Sequence, residues 1–97
     1  MKQITLYSAM LLLFSFNQIT ANTFIFTGNG NYNNPSLWTP SYPGFTINSG
    51  DTVIISTGSV CMSLGLVNTI INNGVFIVNG KLECQKLTNN HHFTNYD

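Results

Sequence analysis

Charge is what this sequence has least of. Only three of its 97 residues are basic and three are acidic, so the formal net charge is zero at pH 7. Proteins that bind nucleic acid need clusters of lysine and arginine to neutralise the phosphates. Because this chain has no such cluster, we exclude nucleic acid as a partner.

Helical spacing and metal-ligand clusters are also missing. After residue 21 no stretch repeats apolar residues at positions i, i+3 and i+4, so we expect no helix there. The only histidines, His91 and His92, are adjacent. Neighbours on a strand point to opposite faces, so one metal ion cannot easily bind both, and we predict a solvated tail. We expect no metal and no other cofactor.

Catalytic groups are equally sparse. A glycosidase pair needs two carboxylates about 5–10 Å apart, and after residue 21 the acidic residues are Asp51, Glu83 and Asp97. A backbone hydrogen bond of the Asx type explains Asp51 before a strand, and Glu83 is predicted to face outward. The sequence has no Ser/His/Asp ordering and no activated cysteine. We therefore predict that the protein is not an enzyme.

Residues 1–21 have the layout of a secretory signal peptide. Lys2 gives a positive start, residues 4–16 are mostly apolar, and the small residue Ala21 stands at the expected cleavage site. The apolar run is too short to span a bilayer, so we expect no membrane span after cleavage. We predict that the chain is secreted or displayed at the cell surface.

A self-repeat organises the rest of the chain. Residues 47–48 match residues 71–72 at an offset of 24, and Thr52–Ile55 matches Val75–Val78 at an offset of 23. Leu64 and Leu87 share the second offset. A self-match at this spacing is typical of stacked coils. We predict that these two apolar runs are parallel neighbours, with one face formed by Val53, Ile55, Phe76 and Val78.

The two cysteines are part of this repeat, because Cys61 matches Cys84 at an offset of 23. Equivalent residues in adjacent coils lie about 4.8 Å apart, within the usual Cα separation for a disulfide. A signal peptide implies an oxidising compartment. We predict a disulfide between Cys61 and Cys84, with two buried free thiols as the alternative.

The Asn-Gly turns leave two architectures open. As hairpin turns, residues 73–74 and 79–80 would give a small antiparallel β-sandwich. As left-handed corners they would give a parallel solenoid. The near-constant offset favours an all-β fold that is a short right-handed parallel β-solenoid with an N-terminal capping segment.

Aromatic residues cluster near the start of the chain. We predict that residues 23–27 form a first strand with Phe24 and Phe26 on one face, followed by a loop over residues 28–35. Tyr32 lies within this asparagine-rich loop, and Trp38 and Tyr42 follow it. Such rings can bind a glycan by stacking on its sugars, or they can cap the open end of the hydrophobic stack.

Two segments carry a family resemblance. Residues 23–38 read TFIFTGNGNYNNPSLW and residues 49–55 read SGDTVII. This resembles the T-[FW]-x-[GN]-x-G-[ND]-[WY] opening and later S-G-D-x-[VI]-x-I element of many secreted bacterial surface proteins, although Tyr32 stands where Trp is commoner. The resemblance implies the N-terminal part of an adhesin-type β-solenoid surface protein.

These observations divide the chain into a signal peptide (1–21), an N-terminal strand and capping loop (22–46), and solenoid coils (47–97) that are incomplete at the C-terminus. We expect the tail after Leu87 to be too short and too polar for a third coil. Val75–Val78 would then lie beside an exposed sheet edge that promotes self-association.

We predict a non-catalytic structural or adhesive module of a secreted or cell-surface protein, and a fragment of a longer chain. Its partners would be an extracellular glycan or a surface protein. The alternative is a glycan-binding module whose ligand stacks on Tyr32, Trp38 and Tyr42.

Overall fold

The computed structural model describes residues 21–63 and 68–96. These residues form eleven short strands and one turn of 3-10 helix (Pro35–Leu37), so the protein is all-β, as predicted. The strands are β1 (Thr23–Phe26), β2 (Asn29–Asn31), β3 (Trp38–Thr39), β4 (Thr46–Ile47), β5 (Thr52–Ile55), β6 (Val60–Ser63), β7 (Ile70–Asn72), β8 (Val75–Val78), β9 (Lys81–Cys84), β10 (Leu87–Asn89) and β11 (His92–Asn95). The predicted signal peptide up to residue 20, the match at Leu64 and the carboxylate of Asp97 lie outside the described residues.

The strands form three sheets, which the chain visits in a constant order from β4 onward. The first sheet has the order β11-β8-β5-β1-β3, the second β10-β7-β4 and the third β2-β6-β9. Each pass runs from the second sheet to the first and on to the third, as β4-β5-β6 and then β7-β8-β9. Seven of the eight strand pairs in the described residues are parallel.

The predicted pairing of the two apolar runs is confirmed. β5 and β8 are parallel at an offset of 23, with Val53 opposite Phe76 and Ile55 opposite Val78. All four side chains are completely buried, while the residues between them are half-buried. Alternation of burial along a strand follows from its two-residue side-chain period. These two strands therefore do not form the hairpin that an antiparallel sandwich requires.

The N-terminal segment is itself a layer of the stack. β1 pairs in parallel with β5 and buries Phe26, with Phe24 half-buried on the same face, as predicted. The prediction of a loop over residues 28–35 is wrong in part, because β2 pairs in parallel with β6. The Asn-Gly-Asn sequence of β2 has little strand propensity, so its partner strand decides its conformation. β3 pairs antiparallel with β1 and covers that edge.

The register between successive passes of the chain through the three sheets changes at each corner. Paired residues are 25 apart from β4 to β7, 23 apart from β5 to β8, and 21 apart from β6 to β9. The predicted match of Ile47 with Ile71 is therefore wrong, because Ile47 lies opposite Asn72. Each corner of the second pass (β7-β8-β9) is two residues shorter than the corner of the first pass (β4-β5-β6) that is stacked on it.

Glycine permits these shorter corners through close backbone approach. A Cβ on Gly74 would collide with the carbonyl oxygen of Asp51, and one on Gly80 would collide with the backbone of the corner above it. The predicted left-handed conformation is not found at these two glycines. It occurs instead in the corners of the first pass, at Gly50 (φ 93°) and Gly58 (φ 80°).

The tail forms the fourth layer of the stack, contrary to the prediction that it is too short for another coil. β10 pairs in parallel with β7, and β11 pairs in parallel with β8, each at an offset of 17. Phe93 stacks on Phe76 with ring centroids 5.4 Å apart and an interplanar angle of 24°. Val75–Val78 is consequently an inner strand of its sheet, and β11 is the outer one.

Candidate functional site

A cluster of aromatic rings lies at the β3 end of the stack. Trp38 meets Phe26 and Tyr32 edge to face, with ring centroids 5.2 Å apart in both pairs. Tyr32 also packs against Phe45 at 5.4 Å and against Tyr42 at 5.9 Å. These separations are those of favourable aromatic pairs. The rings therefore make one continuous packed unit that covers the hydrophobic interior.

Hydrogen bonds fix two of these rings in place. The indole Nε1–H of Trp38 donates to the carbonyl oxygen of Tyr32 at 2.6 Å, and the Tyr32 hydroxyl donates to the carbonyl oxygen of Gly44 at 2.7 Å. Burial raises the pKa of the Tyr32 phenol far above its usual value and raises the pKa of Tyr42 as well. The hydroxyl of Tyr42 is buried, and no described residue hydrogen-bonds to it.

The three predicted glycan-binding residues are brought together, but two of them are inaccessible. Tyr32 is 0% exposed and Trp38 is 4% exposed, while Tyr42 is partly buried. A sugar ring needs a free aromatic face, and the faces of Tyr32 and Trp38 are occupied by neighbouring rings. The glycan-stacking prediction is corrected on this ground, and the geometry matches its alternative, a cap on the stack.

The cysteines are close but not stacked. Cys61 lies opposite Leu82, and Cys84 lies opposite Ser63, so the two cysteines are out of register by two residues. Strand spacings put such a diagonal pair of Cα atoms about 8 Å apart, beyond the range of an unstrained disulfide. Both thiols are free in this structure. The predicted match of Cys61 with Cys84 is thus wrong, and the disulfide prediction loses its basis.

The thiols of these cysteines are weakly acidic. Burial raises the pKa of Cys61 to about 12, with a smaller contribution from nearby Cys84. Burial also raises the pKa of Cys84, and a hydrogen bond with Ser63 partly opposes that shift. A reactive cysteine needs a lowered pKa, so neither thiol has the properties of a nucleophile at neutral pH.

The carboxylates that we considered for catalysis lie in different surroundings. Glu83 is half-buried on β9 and pairs with Lys81 at 3.1 Å, an arrangement typical of a surface ion pair of small energetic value. Asp51 is only 8% exposed, and its Oδ1 accepts the backbone N–H of Asn22 at 3.1 Å. The predicted Asx-type bond is thus replaced by a contact with the preceding layer.

Sequence reasoning missed a ladder of asparagine side chains near the corner between β7 and β8. Asn72 is completely buried, and its Nδ2 donates to the Asn89 side chain at 2.9 Å and to the His92 carbonyl oxygen at 2.8 Å. Its Oδ1 accepts the N–H of Gly74 at 3.1 Å. A parallel pair outside it joins Asn90 to Asn73 at 2.8 Å. These bonds hold the layer of β10 and β11 in place, and the Asn-Asn dipeptides at residues 72–73 and 89–90 were the signal for them.

The histidines are exposed, but they are not an unstructured tail. His91 places Nδ1 3.1 Å from the carbonyl oxygen of Gly74, and His92 belongs to β11 with Nε2 3.0 Å from the Thr94 hydroxyl. Within residues 21–63 and 68–96, no group of three or more metal-ligating side chains comes together.

No protein-family model fits this chain, and neither a curated protein nor a solved structure matches it. The part of the chain that the structure describes contains no helix of the length and apolarity needed to cross a membrane.

Proposed function

We propose that this chain is a structural or adhesive module of a secreted or cell-surface protein and has no chemistry of its own. The proposed architecture is a short right-handed parallel β-solenoid, similar to the N-terminal part of adhesin-type surface proteins. Its proposed partners are a surface protein of the same or another cell and further copies of the chain.

The observation that carries the proposal is a column of inward-facing apolar residues that runs through four parallel layers, completely buried in the two middle layers and half-buried in the two outer ones. It consists of one inward-facing residue from each of β1, β5, β8 and β11, namely Phe24, Val53, Phe76 and Phe93. Each layer presents the next with an in-register strand and an apolar surface, which is how stacked-coil proteins build an extended scaffold. A scaffold of this kind supports a spacer or adhesive role better than catalysis.

The surface chemistry supports the same role. The corners are formed mostly by asparagine, serine, threonine and glycine, and only six residues of the whole chain are charged. Like charges stacked one above another would repel, so uncharged polar side chains suit a repeated surface. Such a surface binds partners through hydrogen bonds, and their strength depends little on salt.

Export is the part of the proposal that is tested first. The full chain with a C-terminal epitope tag would be expressed in a bacterial host, alongside a Leu12→Arg variant that interrupts the apolar run of the predicted signal peptide. We expect to find the tag outside the cytoplasm, on a product whose mass is that of a chain beginning at Asn22. We expect the variant to stay in the cytoplasm at full length. Full-length unmodified chain in the cytoplasm would contradict the proposal.

The adhesive role has a separate readout. The exported chain would be incubated with intact cells, and the bound fraction would be measured after washing at low and high salt. Retention at both salt concentrations supports adhesion through uncharged groups. Complete loss in both washes would restrict the proposal to a structural module.

A further inference from the structure

The start of β1 is attached to a buried carboxylate. The backbone N–H of Asn22 donates to Oδ1 of Asp51 at 3.1 Å, and the carbonyl oxygen of Asn22 accepts from the N–H of Thr52 at 2.9 Å. Asn22 is therefore held at both of its backbone polar groups, directly before the first strand. It is also the residue that follows the predicted signal-peptide cleavage site.

The environment of the Asp51 carboxylate is unusual for a negatively charged group. Its side chain is nearly buried, and the one ion pair among the described residues is the surface pair Lys81–Glu83. Buried carboxylates are generally paired with a cation or with several donors. In the unprocessed chain the donor from Asn22 is a neutral amide. The site thus has a negative charge, and the group that faces it carries no compensating positive charge.

We propose that cleavage before Asn22 completes this site, because the new α-ammonium group forms an ion pair with Asp51. The inference rests on the proposed export. In the reaction, a signal peptidase hydrolyses the Ala21–Asn22 amide: the C–N bond breaks, and water supplies a hydroxyl group to the Ala21 carbonyl carbon. The Asn22 nitrogen takes the proton from that water and one more from solvent. No electrons are transferred, and water is the only co-reactant.

The elements around Asp51 offer few other charged groups that could pair with its carboxylate, so the new α-ammonium group is the expected partner. β1, β5 and β8 contribute no titratable side chain, and neither do the corner residues 48–50 and 72–74. The next layer brings His91, whose Nδ1 lies against the carbonyl oxygen of Gly74. Processing would therefore lock the first strand onto the corner before β5, and the folded state of the exported chain would be more stable than that of its precursor.

The test measures the pKa of the Asn22 α-amino group by NMR in the processed chain. We expect a value at least one unit above the usual 7.7–8.0 of an α-amino group, which corresponds to about a tenfold preference for the charged form. Asp51→Asn should return the pKa to its usual range, whereas the control His91→Ala should leave it raised. A chain that begins one residue earlier, at Ala21, should also titrate normally because its ammonium group is displaced from the carboxylate.

Several results would overturn the inference. An α-amino pKa in the usual range in the processed wild-type chain would do so, and this measurement does not depend on whether Asp51→Asn folds. Equal pKa values for chains beginning at Ala21 and at Asn22 would do so too. If export occurs but the mass shows cleavage at another bond, the inference fails while the proposed function stands. If the chain is never exported, the proposed function itself fails.

Discussion

The aromatic residues at the end of the stack have the composition of a binding site, but their role is structural. The aromatic cluster of Tyr32, Trp38 and Tyr42 lies among asparagines, as sugar-binding rings often do. What separates the two roles is exposure, and Trp38 is 4% exposed. Replacing it should therefore affect folding before it affects any binding.

Trp38→Ala should lower the free energy of unfolding by about 3–5 kcal/mol, the usual cost of truncating a buried aromatic side chain. Trp38→Phe should cost less, about 1–3 kcal/mol, since it mainly removes the donor to the Tyr32 carbonyl oxygen. Urea denaturation followed by circular dichroism measures both. The matched control is Tyr96→Ala, at a ring that is 72% exposed, where we expect little change. The Trp38→Ala chain could instead keep normal stability and lose its retention on polysaccharide columns. That result would show that the aromatic cluster binds glycan.

The raised pKa of Cys61 leads us to expect that the stability of the protein depends on pH. The pKa of Cys61 is raised from 9.0 to about 12 in the folded protein by burial, so the folded state binds its proton more tightly than the unfolded state. The resulting stability is fully present below pH 9 and is lost as pH rises towards 12. At pH 9.5, ionisation of the unfolded thiol should already have lowered the free energy of unfolding by about 0.8 kcal/mol.

Urea denaturation at pH 7 and pH 9.5 tests this prediction, because tyrosine ionises mainly above that range. Cys61→Ala should unfold with a smaller pH dependence than the wild type. Native Cys61 should also react slowly with a thiol reagent at pH 8 and quickly in denaturant. Rapid modification of both thiols in the folded protein would contradict the buried geometry, and the absence of free thiols would restore the predicted disulfide.

At the scale of the elements, corners determine which residues stack. A corner can require glycine because another backbone approaches closely or because φ is positive. The variants Gly74→Ala and Gly58→Ala test these two reasons separately. At Gly74 a Cβ would meet the Asp51 backbone, whereas at Gly58 nothing lies within 4 Å but φ is 80°. We expect Gly74→Ala to cost about 3 kcal/mol or more and Gly58→Ala about 1–2 kcal/mol. Urea midpoints measure the difference, and equal costs would mean that the corners can shift to make room.

The strands were more predictable than the corners that join them. The alternation of Val53 and Ile55 with half-buried neighbours is local, and its repetition at Phe76 and Val78 was sufficient to predict parallel pairing. The match of Cys61 with Cys84 failed because it assumed corners of equal length. Corner length depends on how closely one backbone approaches the next, and a comparison of side-chain types does not contain that information.

Polar segments were the second source of error. β2 and β11 read as a loop and as a solvated tail, because asparagine, glycine and histidine rarely favour strands on their own. Their conformation is determined by the strand beside them, which supplies both an in-register backbone and an apolar contact such as Phe76 for Phe93. The burial of Asn72 was also missed, because the predicted match of Ile47 with Ile71 is wrong by one residue, and such a shift exchanges the two faces of a strand.

At the scale of the whole molecule, the two outer strands of the five-stranded sheet differ. β3 covers β1 through antiparallel pairing, whereas β11 follows β8 in parallel as the outer strand among the described residues. An outer parallel strand presents backbone N–H and C=O groups that can pair with another chain. The sequence-based expectation placed this hazard at Val75–Val78, and the structure moves it to β11.

We expect the processed chain to self-associate through β11 at micromolar concentration, as measured by light scattering. Thr94→Lys should increase the monomer fraction, because charged side chains on an outer strand oppose edge-to-edge pairing. Thr57→Lys adds the same charge at an exposed corner away from that edge, so it should leave association unchanged. If both variants and the wild type are monodisperse monomers that unfold cooperatively, β10 and β11 act as a cap. The stack would then be closed at both ends, and adhesion would have to come from its polar corners.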